Sequence, residues 1–392
     1  MVMGAIVQRG PISRAALAQL LRLSKPTVSS IVRTLEEAGW IHAVGSTRGP
    51  VGRTAVSYRL SARAGHVAGV DLGGTKIRAA ICGLDGGVLA EDVAQTDKRG
   101  GEHVVVQIAA LVRELASRAD AEWSSVRAVA VGSPGVAHPV TGVMELAPNI
   151  PAFGDVPLRD RLVEELGVPV ELENDVNMAA LGEHWQGHAQ GVDDFVFIAL
   201  GTGIGMGIIV DGDLRRGARG AAGEIAYLPL GADPFDPSMH LHGALEETVS
   251  GVALVRRYLE LAPDSQPDRR RAPEIFAAAR EGIQHAREAI DDQARPVAVA
   301  IASVVAVLDP ALVVLGGGIG SQPELRDNIR THLARLMTTP VPVESSRLLD
   351  RASLVGAINV ALRRAHGSLF GAETISAPAL PTPAVELSAA DA

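Results

Sequence analysis

The chain has 392 residues, 47% of them hydrophobic and 21% charged, which is enough apolar surface for two or three packed domains and excludes global disorder. A single cysteine, Cys82, rules out a disulfide framework and any cysteine-based zinc cluster, and 3% aromatics leave the core to Ala, Val, Leu and Ile. The formal charge of −9 is unevenly shared: residues 1–60 hold eight Lys/Arg against two Asp/Glu, a balance of +6, so the other 332 residues carry −15. A basic head on an acidic body suits a head that meets a polyanion, although chance segregation of surface charge would read the same. No charged stretch leads into an apolar one at the N-terminus. The most apolar run, residues 296–320, is interrupted by Asp309-Pro310, and its unbroken part, Val297 to Leu308, is too short to span a bilayer. The expectation is a soluble, cytoplasmic protein without a membrane partner.

In the head, Ser13 caps a helix filled by Ala15, Ala16, Leu17, Leu20 and Leu21. Ser24 caps a second helix with Pro26 in its first turn, where a missing N–H costs nothing. Val28, Ile31, Val32 and Leu35 follow the spacing of one buried face and leave Lys25, Thr27, Ser29, Ser30 and Arg33 outside it. Gly39 ends this helix, Trp40 to Val44 reads as a strand, and a turn through Gly45 to Gly52 leads to a second strand, Ala55 to Leu60. Helix, turn, helix and hairpin predict a winged helix-turn-helix over residues 1–60. Its second helix is suited to the major groove of a double-stranded operator, and Arg48 and Arg53 on the wing to phosphates or the minor groove. A packing subdomain with an ordinary solvated cationic face is the competing reading. Such a domain normally has a full helix ahead of this pair, for which only Met1 to Arg9 is available.

After a linker at 61–66, a body over 67–370 carries two similar glycine-rich hairpins. Strand 66–70 runs into Asp71-Leu72-Gly73-Gly74-Thr75-Lys76, with Ile77 to Cys82 returning; strand 195–200 runs into Gly201-Thr202-Gly203-Ile204-Gly205, with 206–210 returning. They lie 126–128 residues apart, which reads as an internal duplication. Glycines let backbone N–H groups approach an anion and each Thr adds a donor. Neither loop matches a Walker pattern or opens a helix as a dinucleotide fingerprint does. Between them, strand 168–172 meets Glu173-Asn174-Asp175-Val176-Asn177 at the start of a helix. A carboxylate there is placed to accept a sugar hydroxyl, or Asn174 and Asp175 simply cap the helix. Cys82 reads as a small core residue, Glu246 to Leu261 as one helix ending in an Arg256-Arg257 pair that suits its C-terminus, 262–271 as an exposed loop, and 371–392 as a disordered Ala/Pro-rich tail.

These motifs, together with Pro134-Gly135, Ala147-Pro148-Asn149-Ile150-Pro151, Ala222-Gly223-Glu224-Ile225, Leu245-Glu246 and Gly316-Gly317-Gly318, resemble the ROK family (repressors, open reading frames and sugar kinases) in the right order over roughly residues 66–370, and residues 11–60 resemble its winged-helix repressor branch. The resemblance implies a two-lobed, ribonuclease H-like α/β body of the actin/hexokinase type, with a sugar at the bottom of a cleft and Mg-ATP above it. It puts Asn149, Asn174, Asp175, Glu224 and Glu246 on sugar hydroxyls and Asp175 on the catalytic base. Asp71, Gly73, Gly74, Thr75 and Lys76 with Gly201, Thr202 and Gly203 fall on its phosphate loops, and Gly317 and Gly318 on its adenosine contact.

One departure weighs against the kinase side. Where the family writes Gly-Glu-Ile-Gly-His before a zinc-binding cysteine cluster, this chain has Gly223-Glu224-Ile225-Ala226-Tyr227, then Pro237, Met239 and Ala244 in place of cysteines. The segment cannot assemble four thiolate or imidazole ligands, so no structural zinc is expected; His240 and His242 would be solvated. The phenol of Tyr227 can donate to a sugar oxygen but cannot act as a near-neutral imidazole. The leading expectation is a sugar- or sugar-phosphate-responsive transcriptional repressor, a homodimer or dimer of dimers on operator DNA. The alternative is an ATP-dependent hexose kinase of glucokinase type that carries a DNA-binding head.

Overall fold

The computed structural model describes residues 1–48, 54–137, 144–145, 150–152, 154, 156–263 and 271–371. Asn149, Arg53, most of the exposed loop expected at 262–271 and the tail from 372 lie outside the described residues, and of Arg48 only the backbone is described.

The head begins with α1 (Val2–Arg9), so the stretch left for a first helix does form one, with Val2 and Ile6 on its buried side. There follow β1 (Ile12–Ser13), α2 (Arg14–Leu21), α3 (Lys25–Glu37), β2 (Ile41–Arg48) and β3 (Thr54–Leu60). Ser13 and Ser24 cap α2 and α3 by accepting from Ala16 N and Thr27 N, both at 3.2 Å. Antiparallel pairing in the order β1-β3-β2 gives the wing its base. Ile6, Leu17, Val28, Val32, Ile41 and Tyr58 form a core of their own. Arg14 pins its rim: the guanidinium lies 5.0 Å over the Tyr58 ring, reaches its hydroxyl at 2.5 Å and pairs with Glu36 at 3.6 Å.

The body contains two five-stranded sheets of matching design. The first is built from β4 (His66–Leu72), β5 (Lys76–Gly83), β6 (Val88–Gln95), β7 (Val126–Ser133) and, beyond a small pair β8 (Val136–Ala137) and β9 (Met144–Glu145), β10 (Val170–Asn174). Its order is β10-β7-β4-β5-β6, with an antiparallel meander β4-β5-β6 and β7 parallel to β4. Helices α4 (Gly101–Arg118) and α5 (Leu158–Leu166) cover it, and Val70, Leu72, Ile77 and Ile81 meet Val104, Ile108, Val112 and Leu162 in the core. Cys82 is buried mid-strand in β5.

After α6 (Asp175–Gln186), the second sheet comprises β11 (Phe195–Leu200), β12 (Ile204–Val210), β13 (Asp213–Leu214), and later β14 (Leu312–Gly316) and β15 (Val343–Ser345). The order β13-β12-β11-β14-β15 repeats the first design: antiparallel hairpin strands on one side, parallel strands on the other. This repeated arrangement is the ribonuclease H-like architecture that the sequence motifs implied. Helices α7 (Met239–His242), α8 (Ala244–Val249), α9 (Gly251–Leu261), α10 (Ala272–Arg280), α11 (Gln284–Leu308), α12 (Gly317–Gly320), α13 (Pro323–Leu336) and α14 (Ala352–Phe370) complete the chain. Ile198 and Leu200 pack with Phe276, Ile290, Val297, Ile301 and Ile329 in the second core. None of the helices among the described residues is long and apolar enough to cross a membrane.

One expected helix is in fact two. Glu246 to Leu261 is broken at Ser250, whose backbone is extended and whose hydroxyl caps α9 from Ala253 N at 3.4 Å. The Arg256-Arg257 pair does not lie in the last turn of α9 either, although Arg256 donates to the Glu247 carbonyl at 2.8 Å near the end of α8. Arg256 reaches back to the Glu247 carboxylate at 2.6 Å and Arg257 reaches Asp292 at 2.8 Å, so specific acids hold both arginines mid-helix.

By its contacts the chain divides into two units, Met1–Glu173 with the stretch from Ala357, and Asn174–Gly356. Within the second unit α6 and the start of α14 touch backbone to backbone. A Cβ at Gly182 would stand 2.2 Å from the Ala352 carbonyl oxygen, and one at Gly356 would stand 1.7 Å from that of Met178. Both distances are far inside van der Waals contact, so only glycine fits. Gly356→Ala should therefore cost about 3 kcal/mol through overpacking that the helix backbones cannot relieve. Equal urea midpoints for variant and wild type would show that the helices can part without penalty.

Candidate functional site

The first glycine loop is a tight connection between β4 and β5, closed by Gly73 N donating to the Lys76 carbonyl at 2.9 Å. Thr96 braces it, its hydroxyl donating to the Gly73 carbonyl at 2.7 Å and its N–H to that of Thr75 at 3.0 Å. Gly74, Thr75 and Lys76 are thereby held exposed, with Asp71 half-buried behind them on β4. A short loop fixed at both ends presents its remaining donors without an ordering cost when an anion arrives.

The second loop, between β11 and β12, closes in the same way through Gly201 N and the Gly203 carbonyl at 2.9 Å, and α9 ties it down through Gly251 N and the Gly201 carbonyl at 2.8 Å. Gly317 turns the chain at φ +79 and passes so close to Leu200 that a Cβ would lie 2.5 Å from its oxygen. Its neighbour Gly318 has open space where a Cβ would be, and its nitrogen is the nearest atom to a Cβ built on Gly201, at 3.9 Å. Gly201 and Gly318 thus form a shallow, side-chain-free surface in the second unit, of the kind a phosphate or a flat ring can approach. Thr202 is exposed on the same loop.

Glu246 lies against this loop. Its carboxylate accepts from Ile204 N at 3.0 Å and would be 2.3 Å from a Cβ at Gly203, so that glycine is needed to seat an acid. Glu224 is positioned from the other side. Gly223, at φ +95, accepts from Met206 N through its carbonyl at 2.9 Å and leaves no room for a side chain against β12. The next residue is Glu224, which leads into a single turn over Ile225–Tyr227 without capping it through its side chain. Burial and the Glu246 charge raise the Glu224 carboxyl above its ordinary 4.5. Glu246 is raised by burial too, against the pull of the Ile204 N–H and His242. The Tyr227 phenol is raised by burial and then by both acids. Two acids and a phenol, all partly desolvated and feeling one another, form a polar cluster fit for the hydroxyls of a polyol.

Asn174 and Asp175 stand at the β10–α6 junction. Asn174 is the N-cap, accepting from Val176 N at 2.9 Å and Asn177 N at 3.1 Å, while Asp175 also accepts from Val176 N at 2.9 Å. The capping role held open on sequence grounds is realised by Asn174, and its side-chain oxygen is committed to the helix. In the head, α3 exposes Lys25, Thr27, Ser30 and Arg33, with Ser29 partly covered. The Thr27 hydroxyl is hydrogen-bonded to that of Ser24 at 2.7 Å.

In the segment where zinc ligands were judged missing, His240 and His242 are exposed on α7, and among the described residues no group of three or more His, Cys, Asp or Glu could hold a metal ion. Sequence reasoning missed Glu183. It is fully buried on α6 and accepts from Ser346 Oγ at 2.5 Å, His188 N at 2.8 Å and Leu348 N at 3.1 Å, tying α6 to the segment that leads into α14. Its signal was an acid among Met178, Ala179, Ala180 and Leu181, on a helix with little polar face.

Comparison with known proteins bears on both parts of the chain. Residues 67–364 match the model of the ROK family, and residues 1–49 that of the MarR family. The xylose repressor of Caldicellulosiruptor bescii is 29% identical over 378 residues, covering 91% of this chain and 93% of that protein. A ROK family glucokinase from Streptomyces griseus, solved in complex with glucose and AMPPNP, is 31% identical with a TM-score of 0.65 over 76% of this chain and 99% of its own. A ROK family transcriptional regulator, a homolog of the E. coli MLC protein, shares the fold at a TM-score of 0.73 and 24% identity, over 93% of this chain and 95% of its own.

The raised Glu224 and Glu246 values have two consequences of opposite sign. Ionised carboxylates are the better acceptors for ligand hydroxyls, so affinity for a polyol held here should fall on acidification, and the fall should begin above pH 4.5. Stability runs the other way: the native state holds these protons more tightly than the unfolded chain, so this contribution is complete below 4.5 and is lost as pH rises through the native values. Calorimetric titration across this range, in wild type and Glu224→Gln, checks the first point; a wild-type affinity flat down to pH 4.5 would remove these acids from the ligand contact.

Proposed function

The chain belongs to the ROK family, and from that premise we propose that it is a transcriptional repressor responsive to a sugar or sugar phosphate, gripping operator DNA through its winged helix. The observation that carries this reading is the head: a winged helix with its own core and an exposed cationic recognition helix, placed ahead of a domain that matches the family over residues 67–364. A cytoplasmic setting follows from the DNA partner.

On DNA, α3 enters the major groove with Lys25, Thr27, Ser29, Ser30 and Arg33, while Arg48 and Arg53 on the wing take phosphates or the minor groove. A homodimer, or a dimer of dimers, would read an inverted repeat with half-sites one or more helical turns apart. In the body, Asn149, Asn174, Asp175, Glu224, Tyr227 and Glu246 are the residues proposed to hold the sugar. Sugar controls transcription if it binds the DNA-competent and DNA-incompetent states unequally; a tenfold effect on operator affinity needs about 1.4 kcal/mol of such coupling.

The preserved glycine loops and Asp175 favour a second reading, hexose kinase activity. Asp71, Gly73, Gly74, Thr75, Lys76, Gly201, Thr202, Gly203, Gly317 and Gly318 would hold Mg-ATP, and the open approach to Gly201 and Gly318 fits such a ligand. Bound Mg-ATP supplies the transferable phosphoryl group, and Asp175 would accept the proton of the attacking sugar hydroxyl. Two features of the chain's own residues work against turnover. The Glu246 carboxylate sits on the second loop where a phosphate would bring like charge. The turn around Tyr227 has neither histidine nor zinc ligands to hold the sugar rigidly, and loosely placed reactants lose the proximity advantage steeply.

Arg33→Ala should weaken operator binding and flatten the dependence of log affinity on log salt by about one unit; an unaltered slope with unaltered affinity takes α3 off the DNA. Operator binding with D-xylose or D-glucose at saturation tests the effector, and no change with any sugar that stabilises the protein in a thermal-shift screen would reject the repressor reading. For catalysis, wild-type turnover with Mg-ATP and a hexose panel should be far below about 1 s⁻¹, an ordinary enzyme rate. A rate at or above that level which drops by about two to four orders of magnitude in Asp175→Asn would make the kinase reading primary.

A further inference from the structure

α14 joins the two units as one continuous helix: Ala352 to Gly356 belong to the second and Ala357 onward to the first. At its start it has no slack against α6. The Gly182 and Gly356 backbones touch, and buried Glu183 on α6 accepts from Ser346 Oγ and Leu348 N just upstream of α14. The first residue of α6 is Asp175. Displacement of α6 therefore displaces the beginning of α14.

At its other end α14 meets the head. The Phe370 ring lies edge-on to Trp40, centroids 6.2 Å apart at 78°, and the His366 ring lies 5.8 Å from that of Phe370, tilted by 37°. Trp40 closes the end of α3, its N–H donating to the Leu35 carbonyl at 2.9 Å and its own carbonyl accepting from Ser61 N at 2.9 Å. Moving Trp40 thus moves the C-terminal end of the recognition helix. Between its ends α14 buries Ala357, Ala361 and Ala365 beside Ile358 and Leu362, and it is tied to the first unit by His366 Nε2 donating to the Leu84 carbonyl at 2.9 Å and by Arg364 paired with Glu171 at 3.3 Å. Two buried polar atoms on this stretch, Asn359 Oδ1 and His366 Nδ1, find no hydrogen-bond partner among the described residues. Small side chains and two unsatisfied buried acceptors leave the helix few interactions to lose if it tilts about the His366 and Arg364 ties. From Gly356 to Phe370 it runs about 21 Å, so a tilt of about 5° shifts the far end by about 2 Å.

We infer that α14 is the lever by which sugar occupancy reaches the DNA-binding head, and that the Phe370–Trp40 contact passes the movement on. This rests on the reading of the chain as a sugar-responsive repressor. It predicts that Phe370→Ala, a change at a half-buried helix end, leaves sugar affinity and circular dichroism unaltered. The ratio of operator affinities without and with saturating D-xylose or D-glucose should shrink by about two- to tenfold, the loss expected from one edge-to-face pair, and Phe370→Tyr should restore it. A DNA-free readout guards against a head that is merely weakened: in full-length protein carrying Trp123→Phe and Trp185→Phe, Trp40 is the one remaining tryptophan. Its emission should shift with sugar, and Phe370→Ala should abolish that shift while sugar still binds. A full sugar response in Phe370→Ala, or a Trp40 shift that persists there, overturns the lever while leaving the repressor reading intact. No sugar response in the wild type overturns both.

Discussion

Two helices of the second unit meet where neither has a side chain to interpose, and much of the molecule is arranged around that contact. With Cβ positions 1.7 and 2.2 Å from facing carbonyl oxygens, Gly356 and Gly182 admit no substituent, and the backbones of α6 and α14 become one mechanical element. Glu183 makes the attachment polar as well as steric, its buried carboxylate satisfied by three donors. A charge buried this deeply is tolerable only because those donors are fixed in place, so the joint is as specific as it is tight.

The division of charge between head and body has a counterpart inside the second unit. Its polar cluster is acidic: burial and the Glu246 charge raise Glu224, burial raises Glu246, and the second glycine loop spends one of its donors, Ile204 N, on Glu246. The same loop geometry that could receive a phosphate is here partly satisfied from within. A loop donor already used by an acid favours a neutral polyol over a second anion at that point.

Local patterning made the head legible: serine caps and the i, i+3, i+4, i+7 face of α3 each have a short-range physical cause, and each formed, whereas the strand expected to end at Val44 runs on to Arg48 and the rest of the turn expected up to Gly52 lies outside the described residues. The paired glycine hairpins were equally readable, because a strand–glycine–strand spacing repeated 126–128 residues later is hard to mistake. What stayed hidden depended on distant partners. The break at Ser250 was invisible in a run that reads as continuous helix, since it exists to cap α9 while Gly251 N holds the second glycine loop. Arg256 and Arg257 looked like helix-end cations, yet Glu247 and Asp292 hold them mid-helix. Glu183 had no local signature beyond being an acid in apolar company, and Gly182 and Gly356 looked like ordinary small residues until the helices they join were brought together.

The hydrogen bond between Thr27 and Ser24 sets a limit on how this head can change its DNA preference. Ser24 starts α3, and the hydroxyl of Thr27 steadies that cap while its N–H is the group being capped. A substitution at 27 chosen to meet a new base would loosen the first turn of the very helix that must present it. Among the residues proposed to face DNA, drift toward new operators would then fall on Ser30 and Arg33, which are exposed, and on Ser29, which is partly covered. Duplicated descendants of such a repressor would be expected to diverge there first, while the serine and threonine at the head of the helix stay as they are.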